Sequence, residues 1–347
     1  MISLFLPVGV LLLAGLVTLS GISAHLFYLQ LIWVFLGVGI IALFFFIDWR
    51  ILVNYRWLIG GIYAVAILLL VFVYFKGPVV RNVRGWITFG SFTFQPVELA
   101  KIALIFLYAS FFSRRHLGIA QWRNIITSFV FFIVPAGLVA LQPDLGSSLI
   151  LFGIWFGFLL LSGLPPKRVL TAFIFIAVAG FFMWTYVLHD YQRARILGAV
   201  YPERDVLGIN YSASQSKIAI GSASFWGKGY GQGSQTHLGF LTEPEGDFIL
   251  AAFIEEWGFA GAMVVVASFL FLVFRMIKIG YDAETNFEKF ICLGGATVMG
   301  FQFLLNAGSA VGLTPVIGVT FPFLSYGGSN LVISFFLLSI INAISRK

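Results

Sequence analysis

Long apolar runs separated by mostly short polar stretches dominate this chain of 347 residues. A helix needs about 17 to 25 apolar residues to cross the hydrocarbon core of a bilayer. Ten runs approach or reach that length, at residues 2–20, 26–47, 57–75, 94–112, 124–141, 147–163, 169–188, 248–274, 290–311 and 329–345. The pattern therefore predicts an all-α integral membrane protein with about ten transmembrane helices in a single polytopic membrane domain, residues 1–347.

Composition supports this class, because 60% of the residues are hydrophobic and only 10% are charged. The single cysteine excludes a disulfide framework and a cysteine-based metal site. If the N-terminus is cytoplasmic, the inner loops and the tail hold twelve Lys and Arg residues and the short outer loops hold three. Since short cytoplasmic loops carry the positive excess, we predict cytoplasmic termini. The long loop 189–247, between helices 7 and 8, is then extracytoplasmic.

That loop is too rich in apolar and aromatic residues to be a linker. Its apolar patch and its glycine-rich run predict an ordered loop with a short amphipathic helix near residues 212–221. Ordered loops of this length are usually functional. We therefore predict that the loop carries the catalytic region.

The end of the loop is dense in carboxylates for so apolar a chain. Glu243, Glu245, Asp247, Glu255 and Glu256 fall within fourteen residues. Asp247 stands where the polar loop gives way to an apolar helix, so it is either an N-cap or a catalytic carboxylate at the membrane surface. The two deeper glutamates favour buried pairing.

Ionisable residues also occur inside the predicted spans. Glu98 and Lys101 share one face of helix 94–112, where they are either an internal ion pair or functional groups. Lys101 could equally bind a lipid phosphate. Asp144 precedes helix 147–163 as an N-cap or a cavity residue. With cytoplasmic termini, all three lie near the same outer membrane face as Asp247.

The last outer loop, around Ser325 and Tyr326, mixes apolar residues with Pro and Gly. It is either re-entrant backbone that lines a cavity or an ordinary tight loop.

A carboxylate beside cationic groups and a lipid-accessible cavity suits glycosyl transfer from a lipid-linked diphosphate. The reaction needs a base for the attacking hydroxyl and positive charge for the departing diphosphate. Asp247 is the candidate base, and Arg193, Arg195 and Lys217 are candidate cations beside the phosphates. Glu98, Lys101, Asp144 and Ser325 would shape the cavity.

Four segments carry a resemblance to a known family: RGWITFGSFTFQPVELAK, LQPDLGSS, the stretch 201–261 and LTPVIGVTFPFLSYGGS. In order and spacing they resemble the bacterial SEDS family (shape, elongation, division and sporulation). Lys217 in QSKIAIGS and the sequence QTHLGFL resemble elongation members more than division members. The family usually has Thr at the position of Gly246 and Ser at that of Val97.

The resemblance implies a peptidoglycan glycosyltransferase that polymerises lipid II at the outer face of the bacterial plasma membrane during cell elongation. Lipid II and an undecaprenyl-diphosphate-linked glycan would be its substrates, with a class B penicillin-binding protein as partner and no role for nucleic acid. The essential aspartate of the family falls on Asp247, its Glu/Lys pair on Glu98 and Lys101, and its QPDLG aspartate on Asp144.

A divalent cation such as Mg²⁺ is implied as well, which makes Asp247 a general base or a metal-binding carboxylate. Two other functions stay open at the level of the sequence. One is a lipid II flippase, and the other is a non-catalytic scaffold for the penicillin-binding protein.

Overall fold

The computed structural model describes residues 2–46, 56–80, 83–90, 92–114, 121–201, 203, 205, 207–208 and 210–346. Four of the basic residues counted for the topology, Arg50, Arg81, Arg115 and Lys347, lie outside the described residues.

The chain is mostly helical, and its apolar helices follow the predicted runs. They are α1 Ile2–Ile22, α2 Ala24–Leu43, α3 Arg56–Lys76, α4 Pro96–Ser113, α5 Trp122–Leu141, α6 Leu145–Leu161, α7 Pro166–Phe182, α11 Ile249–Asp282, α12 Asn286–Val311 and α13 Gly328–Ile344. Within the described residues, eight helices are long and apolar enough to cross a membrane. The other two predicted spans correspond to the shorter apolar helices α6 and α13. The all-α membrane fold is confirmed.

Short elements fill the segments between the long helices. A hairpin of β1 Ile87–Phe89 and β2 Phe92–Phe94 precedes α4, with Thr88 opposite Thr93. The long loop contains α8 Asp190–Val200, α9 Tyr211–Ser222 and α10 Ser234–His237. The helix predicted near residues 212–221 is confirmed by α9.

Helices α4 and α12 lie at the centre of the bundle, and α4 is the most buried of the candidate spans. An aromatic cluster joins α4, α6 and α12. The ring centroids of Phe158 and Tyr108 lie 5.4 Å apart, and those of Phe158 and Phe290 lie 5.8 Å apart. Helix α7, which continues through a π-helical turn at Met183–Val187, differs from the others. Among its described side chains, none in the apolar window is buried.

Helix α11 is broken at Gly258, where φ is 68° and ψ is −170°. Such a break removes the hydrogen bonds that the amides of Phe259 and Ala260 would make in a continuous helix. Both amides donate instead to the loop, to the carbonyls of Ser224 and Phe225, at 3.2 and 3.0 Å.

The loop also satisfies the carbonyls on the other side of the break. The amides of Lys228 and Gly229 donate to the carbonyls of Glu255 and Glu256, each at 3.0 Å. Backbone that leaves a helix within a membrane protein must find partners for its polar groups. Segment 224–229 supplies them, so the loop and the helix form one hydrogen-bonded unit.

The sequence misplaced the limits of α11 and missed its break. The predicted helix, 248–274, ends at Phe274 because Arg275 interrupts the apolar run, but the observed helix continues to Asp282. A polar residue ends a hydrophobic span without ending a helix. The next helix begins at Asn286 because Thr285 and Glu288 form a capping box, at 3.2 and 3.1 Å.

The segment between α12 and α13 supports the re-entrant interpretation of the last outer loop. Its backbone is irregular over residues 313–327, yet Phe321, Phe323 and Leu324 are fully buried. Residues on both sides of them line a cavity. Irregular backbone is tolerated at such a place because protein and cavity surround it rather than lipid.

Replacing Gly258 by Ala should lower the midpoint of thermal denaturation in detergent. A side chain at this φ and ψ costs about 1–3 kcal/mol, and the new Cβ would collide with the backbone of Phe225 and Gly227. The matched control is Gly300→Ala in α12, where an added Cβ meets nothing within 4 Å. Equal midpoints for the two variants would show that the break is not a fixed feature.

Candidate active site

A cavity of about 1650 Å³ lies between α5, α6, α7, the loop before α13 and residues 243–247, here called the acidic segment. Five of the eight predicted site residues line it, namely Glu98, Lys101, Asp144, Arg195 and Asp247. Phenylalanine, isoleucine and leucine side chains from α5 and α6 contribute much of its apolar lining. The cavity therefore joins a charged end to a long apolar groove.

Asp247 is not the N-cap of α11. The helix begins at Ile249, and Phe248 occupies the capping position. The N-cap interpretation is wrong because one more residue of turn separates the aspartate from the helix. Its half-buried side chain lines the cavity, and a Cβ added at Gly318 would lie 4.0 Å from its Oδ2 atom.

The main chain around Asp247 is fixed from three directions. Asn306 Nδ2 of α12 donates to the carbonyl of Asp247 at 3.0 Å and to that of Val319 at 2.7 Å. Ser325 Oγ donates to the carbonyl of Gly246 at 2.8 Å. The amide of Tyr326 donates to the carbonyl of Glu245, also at 2.8 Å. These bonds attach the acidic segment to the last loop, so its carboxylate has a defined position.

Glu98 and Lys101 form a buried ion pair in the first turns of α4. Lys101 Nζ lies 2.7 Å from Glu98 Oε1, and the two side chains are 5% and 4% exposed. Asn330 Nδ2 of α13 donates to the other carboxylate oxygen of Glu98 at 3.1 Å. The internal ion pair is therefore present, and it joins α4 to α13. Both residues also line the cavity, so a functional role for them stays a prediction.

Asp144 likewise has two roles, as the N-cap of α6 and as part of the cavity wall. Its Oδ1 atom accepts from the amide of Ser147 at 2.9 Å, and its Oδ2 atom accepts from Gln95 Nε2 at 3.3 Å. Burial raises the pKa of this carboxyl above its ordinary value, although the bonds from Ser147 and the charge of Lys101 act in the opposite direction. Gly146 allows the cap to sit against the last loop, since a Cβ there would collide with the carbonyl of Ile317.

The three predicted phosphate-side cations separate in the structure. Arg195 lines the cavity and donates to the carbonyl of Val316 at 3.3 Å. Arg193, two residues earlier and so on the opposite side of α8, instead donates to the carbonyl of Thr185 at 3.1 Å. Lys217 lies against Gly312 in a small side pocket that it shares with Arg195.

The sequence placed Arg193, Lys217 and Ser325 at the cavity, but none of the three is among the residues that line it. Spacing along a loop does not reveal which side of a short helix meets the cavity. Ser325 nevertheless acts on the site indirectly, through its hydrogen bond to the residue before Asp247.

Glu255 and Glu256 anchor the outer loop to α11, as the predicted buried pairing requires. Glu255 Oε1 accepts from Lys228 Nζ at 2.7 Å, and its Oε2 accepts from the amide and hydroxyl of Thr236 at 3.1 and 2.9 Å. Glu256 Oε1 lies 2.7 Å from His237 Nε2. These carboxylates stabilise the loop and lie outside the cavity lining.

Sequence reasoning missed Gln95, Asn306, Asn330 and Arg168. The first three hold Asp144, Asp247 and Glu98 in place, and Arg168 lines the far end of the cavity. A buried Asn or Gln inside an apolar run is itself a signal, because an uncharged amide in a membrane span needs a partner.

A metal site made by protein groups alone does not occur in the described part of the chain. There, no group of three or more His, Cys, Asp or Glu side chains is placed to hold a metal ion. Mg²⁺ in proteins is commonly bound by one or two carboxylates together with substrate phosphates. Asp247 fits that mode.

The model of a family of cell cycle proteins that groups FtsW, RodA and SpoVE matches residues 2–347. The chain belongs to the SEDS family. The peptidoglycan glycosyltransferase MrdB of Escherichia coli K12 is 36% identical to this SEDS chain over 272 residues, covering 78% of the chain and 73% of MrdB. Stage V sporulation protein E of Bacillus subtilis is 32% identical, covering 90% and 85%.

Solved structures match over nearly the whole chain. One comes from work on the structural coordination of polymerization and crosslinking by a peptidoglycan synthase complex. It has a TM-score of 0.85 and 27% identity, and the match covers 99% of this chain and 96% of that one. RodA of Thermus thermophilus has a TM-score of 0.75 and 25% identity, covering 100% and 96%. The SEDS chain is thus a multi-pass membrane protein of the RodA type, as its sequence predicts.

Lys101→Met should destabilise the protein by about 3–5 kcal/mol, because it leaves the buried Glu98 carboxylate without its cation. Combining it with Glu98→Gln should recover part of that loss, since no buried charge then remains. Thermal denaturation of the single and double variants in detergent measures both effects.

The control is Arg193→Gln, which removes another i,i+3 pair, that of Arg193 with the exposed Asp190 at 3.7 Å. It should change the midpoint little, because exposed pairs contribute little. If Lys101→Met behaves like this control, Glu98 is not held as a buried charge.

Proposed function

We propose that Asp247 is the catalytic carboxylate of this peptidoglycan glycosyltransferase and that the cavity binds lipid II. One observation carries the proposal. The Asp247 side chain lines a cavity that also contains Lys101 and Arg195 and continues into an apolar groove. A lipid-linked diphosphate needs this combination of acid, cation and groove.

In this proposal the 4-hydroxyl of an incoming lipid II attacks the anomeric carbon of the growing strand. The new bond joins O4 to C1 while the bond from C1 to the diphosphate oxygen breaks. The hydroxyl proton passes to the Asp247 carboxylate, and the undecaprenyl diphosphate leaves with the bonding electrons. General-base catalysis of this kind contributes about 10²–10⁴-fold to the rate.

The cations of the cavity stabilise the leaving group. Arg195 approaches the charged end from α8, beside the last loop, and is held there through the carbonyl of Val316. Lys101 is paired with Glu98, so its ammonium is fixed in direction rather than free to move. Fixed charges of this type stabilise a developing anion without reorganising during the reaction.

A divalent cation such as Mg²⁺ would be held by Asp247 together with the diphosphate oxygens. When bound, it would neutralise charge on the leaving diphosphate. In that case Asp247 serves as a metal ligand rather than as the base.

We also propose that a class B penicillin-binding protein is the partner and that both termini face the cytoplasm. Support for the partner comes from the similar chain in a peptidoglycan synthase complex that coordinates polymerization and crosslinking. Support for the orientation comes from the excess of Lys and Arg in the predicted inner loops.

Asp247→Ala should reduce glycan polymerisation at least about 100-fold, in keeping with loss of a general base or a metal-binding carboxylate. The assay is gel analysis of glycan products from the purified protein and its candidate partner supplied with lipid II. Asp282→Ala, an exposed aspartate at the end of α11, is the matched control and should retain activity. Loss of polymer on adding a chelator to the wild type would argue for a metal at or near the site.

Other outcomes would overturn the proposal. Appreciable polymer from Asp247→Ala would remove the aspartate from the mechanism. No polymer from the wild type, with lipid II crossing reconstituted bilayers, would favour a flippase. Full polymer from the partner alone would favour a scaffold.

A further inference from the structure

The cavity extends far beyond the charged end that the proposed reaction uses. On α7, the residues Arg168, Ala172, Ile176 and Gly180 line it at intervals of four, so one face of this helix follows the groove. On α5, the lining runs from Trp122 to Leu141. At 1.5 Å per residue, that stretch of α5 is about 28 Å long, close to the thickness of the hydrocarbon core.

The two ends of this groove lie at opposite ends of the candidate membrane span α5. Helix α5 runs from Trp122 at one end to Asp144, just beyond its last turn, at the other. Helix α7 runs in the opposite direction, from Arg168 to the π-helical turn that leads to α8. Trp122 and Arg168 therefore mark the end remote from Asp247.

The guanidinium of Arg168 carries a hydrogen-bond donor that has no acceptor among the described residues. The guanidinium lies 5.9 Å from the centre of the Trp122 ring. Its Nη1 atom is shielded from solvent and has no hydrogen-bond partner among the described residues. A buried donor that makes no hydrogen bond costs about 1–3 kcal/mol, and more when it is charged. Among the described residues that line the cavity, Arg168 is the charged one at this end.

We infer that this end of the groove binds an anionic phospholipid. The headgroup phosphate accepts from Arg168, and an acyl chain lies along the apolar faces of α5 and α7, against residues such as Ile126, Phe129 and Ile176. Charge complementarity selects the occupant, since basic pockets between membrane helices bind acidic lipid headgroups. A zwitterionic lipid has no net charge to match the guanidinium.

The site is separate from the proposed chemistry but shares its groove. A phospholipid held by Arg168 would occupy apolar surface that the polyprenyl chain of a substrate also needs. Binding of the lipid and its dependence on Arg168 do not rest on the proposed reaction, so either can fail without the other.

Native mass spectrometry of the full-length protein in detergent tests the site. The protein is given equal amounts of phosphatidylglycerol and phosphatidylcholine, and the lipid adducts are counted. The wild type should prefer phosphatidylglycerol, and Arg168→Gln should reduce that preference about tenfold, the loss expected for a charge-assisted hydrogen bond. Arg168→Lys, which keeps the charge, should retain most of the preference for phosphatidylglycerol. That result would also show that the position tolerates substitution.

The matched control is Arg123→Gln, because Arg123 lies at the same end of α5 but is exposed and does not line the cavity. It should keep the wild-type preference. An unchanged preference in Arg168→Gln, or an equal loss in Arg123→Gln, would overturn the proposal. Displacement of the lipid by glycerophosphoglycerol, the headgroup without acyl chains, would show instead that the site takes free phosphate esters.

Discussion

Backbone hydrogen bonding in a medium without water is the constraint on which this structure depends. Helix α11 breaks at Gly258, and the freed groups on both sides are satisfied by segment 224–229. An unpaired backbone group in lipid costs several kcal/mol. The helix can break only because the outer loop supplies these partners, and the loop is held in its position by the same hydrogen bonds.

The position of Asp247 follows from this arrangement. Glu255 and Glu256 hold the loop to the helix from one side, while Asn306 and Ser325 hold the acidic segment from the other. The candidate catalytic carboxylate thus lies on irregular backbone. Hydrogen bonds from the buried side chains of Asn306 and Ser325 hold that backbone in place. Rigid support of this kind is what a reaction based on positioning needs.

Much of the fold could be predicted from the sequence, because apolar runs in a membrane protein correspond closely to its helices. The carboxylates and Lys101 could be predicted to lie near the same membrane face, because successive spans cross the membrane in alternating directions. The break at Gly258 could not, since glycine within an apolar run is common and the bonds that compensate for it come from a segment about thirty residues away. Nor could the separation of Arg193 from Arg195, which depends on the rotation of a short helix that hydrophobicity does not fix.

Helix α7, which lines one side of the groove, packs differently from the other long helices. In its apolar window no described side chain is buried, so contact with the rest of the protein holds this helix only weakly. In a bilayer, lipid would therefore supply much of the packing against this wall of the cavity. The width of the groove would then depend on the membrane as well as on the protein, and a change in the lateral pressure of the bilayer would change the space beside α7.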